Sequence, residues 1–224
     1  MIFGDKVNFG DNNEIKANLE KIQKDLNRVK LTIEIKNRDD YLAFAIQNIL
    51  LYSAKQVEQL SIYLEGPIDF ISWKARNLFE AYLLCEYLVQ FPAQAKVFIG
   101  QIAVDELQIN EGFLGINATK NSDIYKKIIL DRNEYIRSTL NKHKLKETGF
   151  WTVSFLAKAV DCQDEYTAFF KLYSKYVHPS SWIINGQESQ YDTLVFRNVF
   201  ILQAQYYLSR LLKTTENYQK SENK

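Results

Sequence analysis

Apolar residues recur at helical spacing along nearly the whole of this chain. Ile15, Leu19, Ile22, Leu26, Val29 and Ile33 alternate steps of four and three, an a/d seam of nearly three heptads with mostly polar flanks. The seam predicts a first helix over about Glu14 to Lys36, lying on one partner surface: its own domain or a second copy. In Asn37-Arg38-Asp39-Asp40 an Asp can cap a second helix, which reaches Glu65 and is apolar on most turns, as a central helix should be. Gly66-Pro67 ends it. A third helix, about Asp69 to Gln90, is apolar nearly all round, and Phe91-Pro92 separates it from a fourth, about Ala93 to Glu111. Asn121 or Ser122 can cap a fifth that runs to about Lys144. A sixth covers Thr152 to Val160, and Asp161 can cap a seventh over Gln163 to Val177. Pro179 stops that helix, Asn185-Gly186 makes a turn, and a last helix runs from about Tyr191 to Thr215.

The pattern is all-α: a single-domain bundle of about eight helices over residues 14–216, with an N-terminal amphipathic helix. A turn-like segment, residues 1–13, precedes it, in which Phe3-Gly4-Asp5 recurs as Phe9-Gly10-Asp11, and a polar tail, residues 217–224, follows. Only 8 Gly and 3 Pro argue against a turn-rich β fold. A net charge of +1 gives no global pull toward nucleic acid, so any RNA contact needs a local basic patch. The two cysteines, Cys85 and Cys162, fit a reduced, cytoplasmic protein without a disulfide framework. No apolar run approaches the roughly 20 residues of a membrane span, and no secretory signal is visible, so no membrane partner is expected.

Candidate chemistry gathers at few positions. His178 falls where Pro179 must stop a helix, near the negative end of the dipole and unpaired carbonyls, which favour the imidazolium. Ser174 lies four residues earlier, Ser180 just beyond, and Tyr173 on the apolar stripe of the same helix with Tyr166, Phe169, Phe170 and Val177. The histidine either caps the last carbonyls or serves as a general acid–base with hydroxyls beside it. Arg76 and Glu80 share one face of the third helix, as a core ion pair or as a site arginine held by a carboxylate. Arg197 is a further cation that could partner Glu80 or Glu86. Arg137-x5-His143 is a second arginine–histidine spacing, in a lysine-rich helix end that could equally be a solvated face. Neither His-x3-His nor Cys-x2-Cys spacing occurs, so no metal is expected. There is no glycine-rich phosphate loop or Gly-x-Ser-x-Gly elbow, and no cofactor is expected.

Arg76-x3-Glu80 followed by Tyr173-x4-His178-Pro179-Ser180 resembles a family of uncharacterised bacterial all-helical proteins, over roughly the second to eighth helices. It is also distantly similar to HEPN-type helical bundles, many of them metal-independent ribonucleases of toxin–antitoxin and phage-defence systems, with an Arg-x4-6-His motif. Arg137-x5-His143 has that spacing, with Ser138 where Asn, Asp or His is more usual, whereas at His178 the arginine would come from another helix. The resemblance implies a metal-independent endoribonuclease. His178 would be the acid–base, Arg76 would stabilise the phosphorane-like transition state, Glu80 would orient Arg76, and Tyr173, Ser174 or Ser180 would contact the substrate. Composite sites of this kind often need two subunits, which implies a symmetric homodimer, here through the first helix. The competing reading is a non-enzymatic helical module in which the same polar residues are structural and the first helix recruits a protein partner.

Overall fold

The structure is a computed structural model that describes residues 6–145, 147 and 151–222. Its helices are α1 (Asn12–Thr32), α2 (Tyr41–Ile62), α3 (Ile68–Gln90), α4 (Gln94–Gly115), α5 (Asn117–Lys120) and α6 (Asp123–Lys142). They continue with α7 (Val153–Ala159), α8 (Gln163–Glu165), a π-helical turn (Tyr166–Phe170), α9 (Lys171–Val177), α10 (Ser181–Asn185), α11 (Glu188–Tyr191) and α12 (Leu194–Glu222). The fold is all-α, with no strand among the described residues. The chain divides into two compact units, one of Met1–Gln90 with Thr152–Lys224 and one of Phe91–Trp151. Residues 1–5, with Phe3-Gly4-Asp5, and the last two residues of the expected tail lie outside the described residues.

In the first unit, α1 opens with a capping box: the Asp11 carboxylate accepts from the Glu14 amide, and the Glu14 carboxylate accepts from the Asp11 amide. Its seam lies on α2 and α12. Every seam residue is buried, Leu19 and Leu26 completely. The helix stops at Thr32, yet extended backbone at Ile33 still delivers that side chain to the core. The apolar stripe is thus covered by its own chain, and the expected dimer through this helix has no seam left to use. A narrow stripe specifies one partner surface without saying whose.

The hub of the unit is α3, which packs against α2, α7, α9 and α12. The expected central helix, α2, packs only against α1 and α3 among the well-packed pairs. The difference follows from α3 being apolar nearly all round, so it can be covered on every side. Phe79 of α3 meets Tyr207 of α12 at 4.7 Å and Tyr173 of α9 at 6.4 Å between ring centres. All three are fully buried.

The expected seventh helix is interrupted by the π turn, which shifts the helical register. Tyr173 and Tyr176 enter the core as a result, while Tyr166, Phe169, Phe170 and Val177 are only part-buried. Asp161 does not cap it: Asp161 adopts φ 61° and Cys162 takes the cap position. The last helix begins after Tyr191 and continues past Thr215 to Glu222, with Tyr218 buried, so most of the expected tail is helical.

The second unit is built on α4 and α6, whose Val104, Leu107, Ile136 and Leu140 form a small core. Asn110 Nδ2 donates to the buried Asn133 Oδ1 at 2.8 Å, and Arg132 grips Glu106 with two bonds of 2.6 and 2.8 Å. No helix among the described residues is long and apolar enough to cross a membrane.

Candidate functional site

An arginine and a histidine 102 positions apart in the chain meet at the surface of the first unit. Arg76 and Glu80 lie one turn apart on α3, and Arg76 Nε donates to Glu80 Oε1 at 2.7 Å. Pro179 disfavours helix at the preceding residue, so His178 leaves α9 with extended backbone (φ −123°, ψ 150°). Its exposed imidazole reaches back to α3, with Nε2 3.3 Å from Arg76 Nη1. A guanidinium can only donate. The contact is therefore a hydrogen bond when Nε2 carries its lone pair and the ring proton sits on Nδ1. Phe170, the last residue of the π turn, lies beneath the guanidinium, whose carbon is 4.5 Å from the ring centre. Carboxylate, aromatic face and imidazole together fix Arg76 in one orientation.

The Arg76–Glu80 pair is not a core ion pair. Its side chains are 20% and 34% exposed, open enough to meet a ligand and covered enough to be held still. Tyr52 of α2 feels the Glu80 charge; burial first, and then that carboxylate, push its phenol above the ordinary value.

The expected hydroxyl partners are placed otherwise. Tyr173 is fully buried and donates to Gln203 Oε1 at 2.6 Å, which removes it from any surface contact. Burial pushes its phenol well above the usual range. Ser174 gives its hydroxyl to the Phe170 carbonyl at 2.9 Å, next to the π turn. Ser180 donates to the Lys175 carbonyl at 2.7 Å and caps α10. Both serines therefore shape the backbone around His178.

Arg137 and His143 belong to the second unit. Arg137 pairs with Glu111 at 3.0 Å and Glu147 at 3.4 Å, and exposed His143 caps the end of α6. Arg197 grips Asp192 with two bonds of 2.5 and 2.7 Å and donates to the Gly66 carbonyl at 2.7 Å. It partners neither Glu80 nor Glu86, and Glu86 accepts instead from Thr214 and Gln90.

Two constellations escaped the sequence reading. Lys74 is buried with no carboxylate beside it among the described residues. Its ammonium donates to Gln56 at 3.1 Å and to Gln59, and lies 4.1 Å from the Trp73 ring centre. Burial lowers its pKa. Arg210 of α12 pairs with Glu165 at 3.0 Å, lies over the Tyr82 ring of α3 at 4.2 Å and donates to Cys162 Sγ at 3.4 Å. Burial pushes the Cys162 thiol up despite the neighbouring cation. Partners from α3, α12 and the start of α8 converge there, a juxtaposition that no local spacing announces. Among the described residues no group of three His, Cys, Asp or Glu side chains could hold a metal.

Residues 74–189, just over half of the chain, match the model of DUF5677, a family of unknown function. The chain belongs to the DUF5677 family. The matched stretch contains Arg76, Glu80, Phe170 and His178, and leaves out α1, α2 and α12. No curated protein and no solved structure matches this DUF5677 chain.

Proposed function

We propose that this DUF5677 protein is a HEPN-like, metal-independent endoribonuclease acting in the cytoplasm, of the toxin or phage-defence kind. The observation that carries the reading is the exposed His178 imidazole 3.3 Å from a guanidinium oriented by Glu80 and Phe170. At rest, Arg76 Nη1 covers the lone pair on Nε2. An RNA phosphate draws Nη1 away while Nε stays on Glu80, and the uncovered Nε2 becomes the base. It takes the 2′-hydroxyl proton as that oxygen attacks the adjacent phosphorus. Arg76 balances the charge that builds on the phosphorane oxygens. The P–O5′ bond then breaks, the 5′-oxygen takes the proton back from the imidazolium, and the strand ends in a 2′,3′-cyclic phosphate.

The test is incubation of labelled single-stranded RNA with pure protein in EDTA. Wild type should yield cyclic-phosphate ends. His178→Ala should lose about 10²–10⁴-fold, the usual weight of a positioned acid–base. Arg76→Ala should lose about 10²–10³-fold, the weight of one transition-state donor. Folded wild type that leaves RNA intact would overturn the reading and favour the non-enzymatic module.

A further inference from the structure

Directly after His178 the chain builds a cleft. Pro179 and Ser180 lead into α10, Gly186 ends it, and α11 follows and contributes Gln190. The space, about 660 Å³, is lined by Lys175, Ser181, Trp182, Asn185, Gly186 and Gln190. Lys175 and Ser181 lie three residues before and three after His178. The ring of Trp182 is braced edge-on against Phe196 at 6.0 Å and is still 42% exposed. A Cβ on Gly186 would fall 2.3 Å from the Trp182 carbonyl oxygen, so this bend admits no side chain.

The polar groups around the indole are only partly used. Gln190 Oε1 accepts from the Gln187 amide, leaving its Nε2 donors to the cleft. Asn185 Nδ2 donates to Ser181 Oγ, leaving its Oδ1 acceptor. Among the described residues Lys175 forms no ion pair, and no carboxylate lines the space. The lining therefore offers an aromatic face, a donor edge, an acceptor edge and one cation. An aliphatic ligand would leave three polar groups unmatched, and an acidic side chain would answer only the lysine. A nucleotide answers all four: its base stacks, its edge has both donors and acceptors, and its phosphate is anionic.

We propose that this cleft is a nucleobase subsite. It would hold, stacked on Trp182, the nucleotide next to the phosphate that Arg76 and His178 engage, with Lys175 on a flanking phosphate. The assignment rests on the ribonuclease reading for its substrate, single-stranded RNA, and is testable apart from it.

The chain has three tryptophans, hence three indole N–H resonances, and Trp182→Phe identifies the one that matters. Adenosine 5′-monophosphate, ribose 5-phosphate and an uncleavable 2′-deoxy oligonucleotide are titrated into full-length protein, with cleavage of RNA followed in parallel. The nucleotide and the oligonucleotide should move the Trp182 resonance, and ribose 5-phosphate should not. Trp182→Ala should weaken oligonucleotide binding by roughly tenfold or more, the usual scale for one stacked base, while Trp182→Phe keeps most of it. A Trp182 resonance that stays still, or responds equally to ribose 5-phosphate, overturns the subsite even where wild type cleaves RNA. A resonance that follows the nucleotide while RNA stays whole upholds the subsite and removes the cleavage reading.

Discussion

Glu80→Ala separates a positioning carboxylate from a structural one. Glu80 holds Arg76 Nε at 2.7 Å, with the two side chains 34% and 20% exposed. Exposed ion pairs contribute about 0.2–1 kcal/mol, whereas breaking a fully buried one costs about 3–5. A pair this open lies between, at about 1.5 kcal/mol, because Arg76 keeps Phe170 and some water after the loss. For a chain of this size that is a fall of about 3–6 °C in Tm. A domain with 5–15 kcal/mol of stability remains essentially all folded at 25 °C after such a loss. Any fall in RNA cleavage beyond the unfolded fraction is then a loss of orientation at Arg76, expected at about tenfold or more.

The assay pairs circular-dichroism melts with cleavage in EDTA on the same samples. Glu80→Gln, which keeps an acceptor oxygen for Nε, should recover part of the activity. Arg76→Ala/Glu80→Ala should be less destabilised than the sum of the single variants, by about 1 kcal/mol. A Tm drop above about 10 °C with unchanged cleavage per folded molecule would make the pair purely structural. No change in either quantity would mean that the contact is not formed in solution.

Leu19→Ala removes a completely buried side chain from the α1 seam and should cost about 3–5 kcal/mol. The melts should not depend on protein concentration; a concentration-dependent Tm lowered by this variant would restore the seam as a dimer contact. Lys74 has a folded pKa below its unfolded value, so the unfolded chain binds more protons in the window below 10.5, and stability should rise as pH increases toward that value. Lys74→Met should abolish that part of the slope in urea titrations carried up to pH 10.5; equal slopes would refute it. Gly186→Ala must shift the Trp182 carbonyl, so it should lower Tm and weaken oligonucleotide binding, read by melts and by the indole resonance.

The local half of this architecture is legible in the chain. Period and punctuation locate the long helices to within a few residues, apart from the C-terminal end of α12, because each helix closes its own backbone hydrogen bonds and needs only neighbours in sequence. The spacing of Arg76 and Glu80 puts them on one face, and Pro179 places His178 at a helix end by sterics alone. What these elements touch is decided elsewhere. That α1 covers itself on α2 and α12, that Arg197 takes Asp192, and that Tyr173 turns inward behind a π turn all depend on packing partners far along the chain. The meeting of Arg76 with His178 is of this kind: helical periodicity repeats every few residues and carries no record of which surface, 102 positions away, will dock against it.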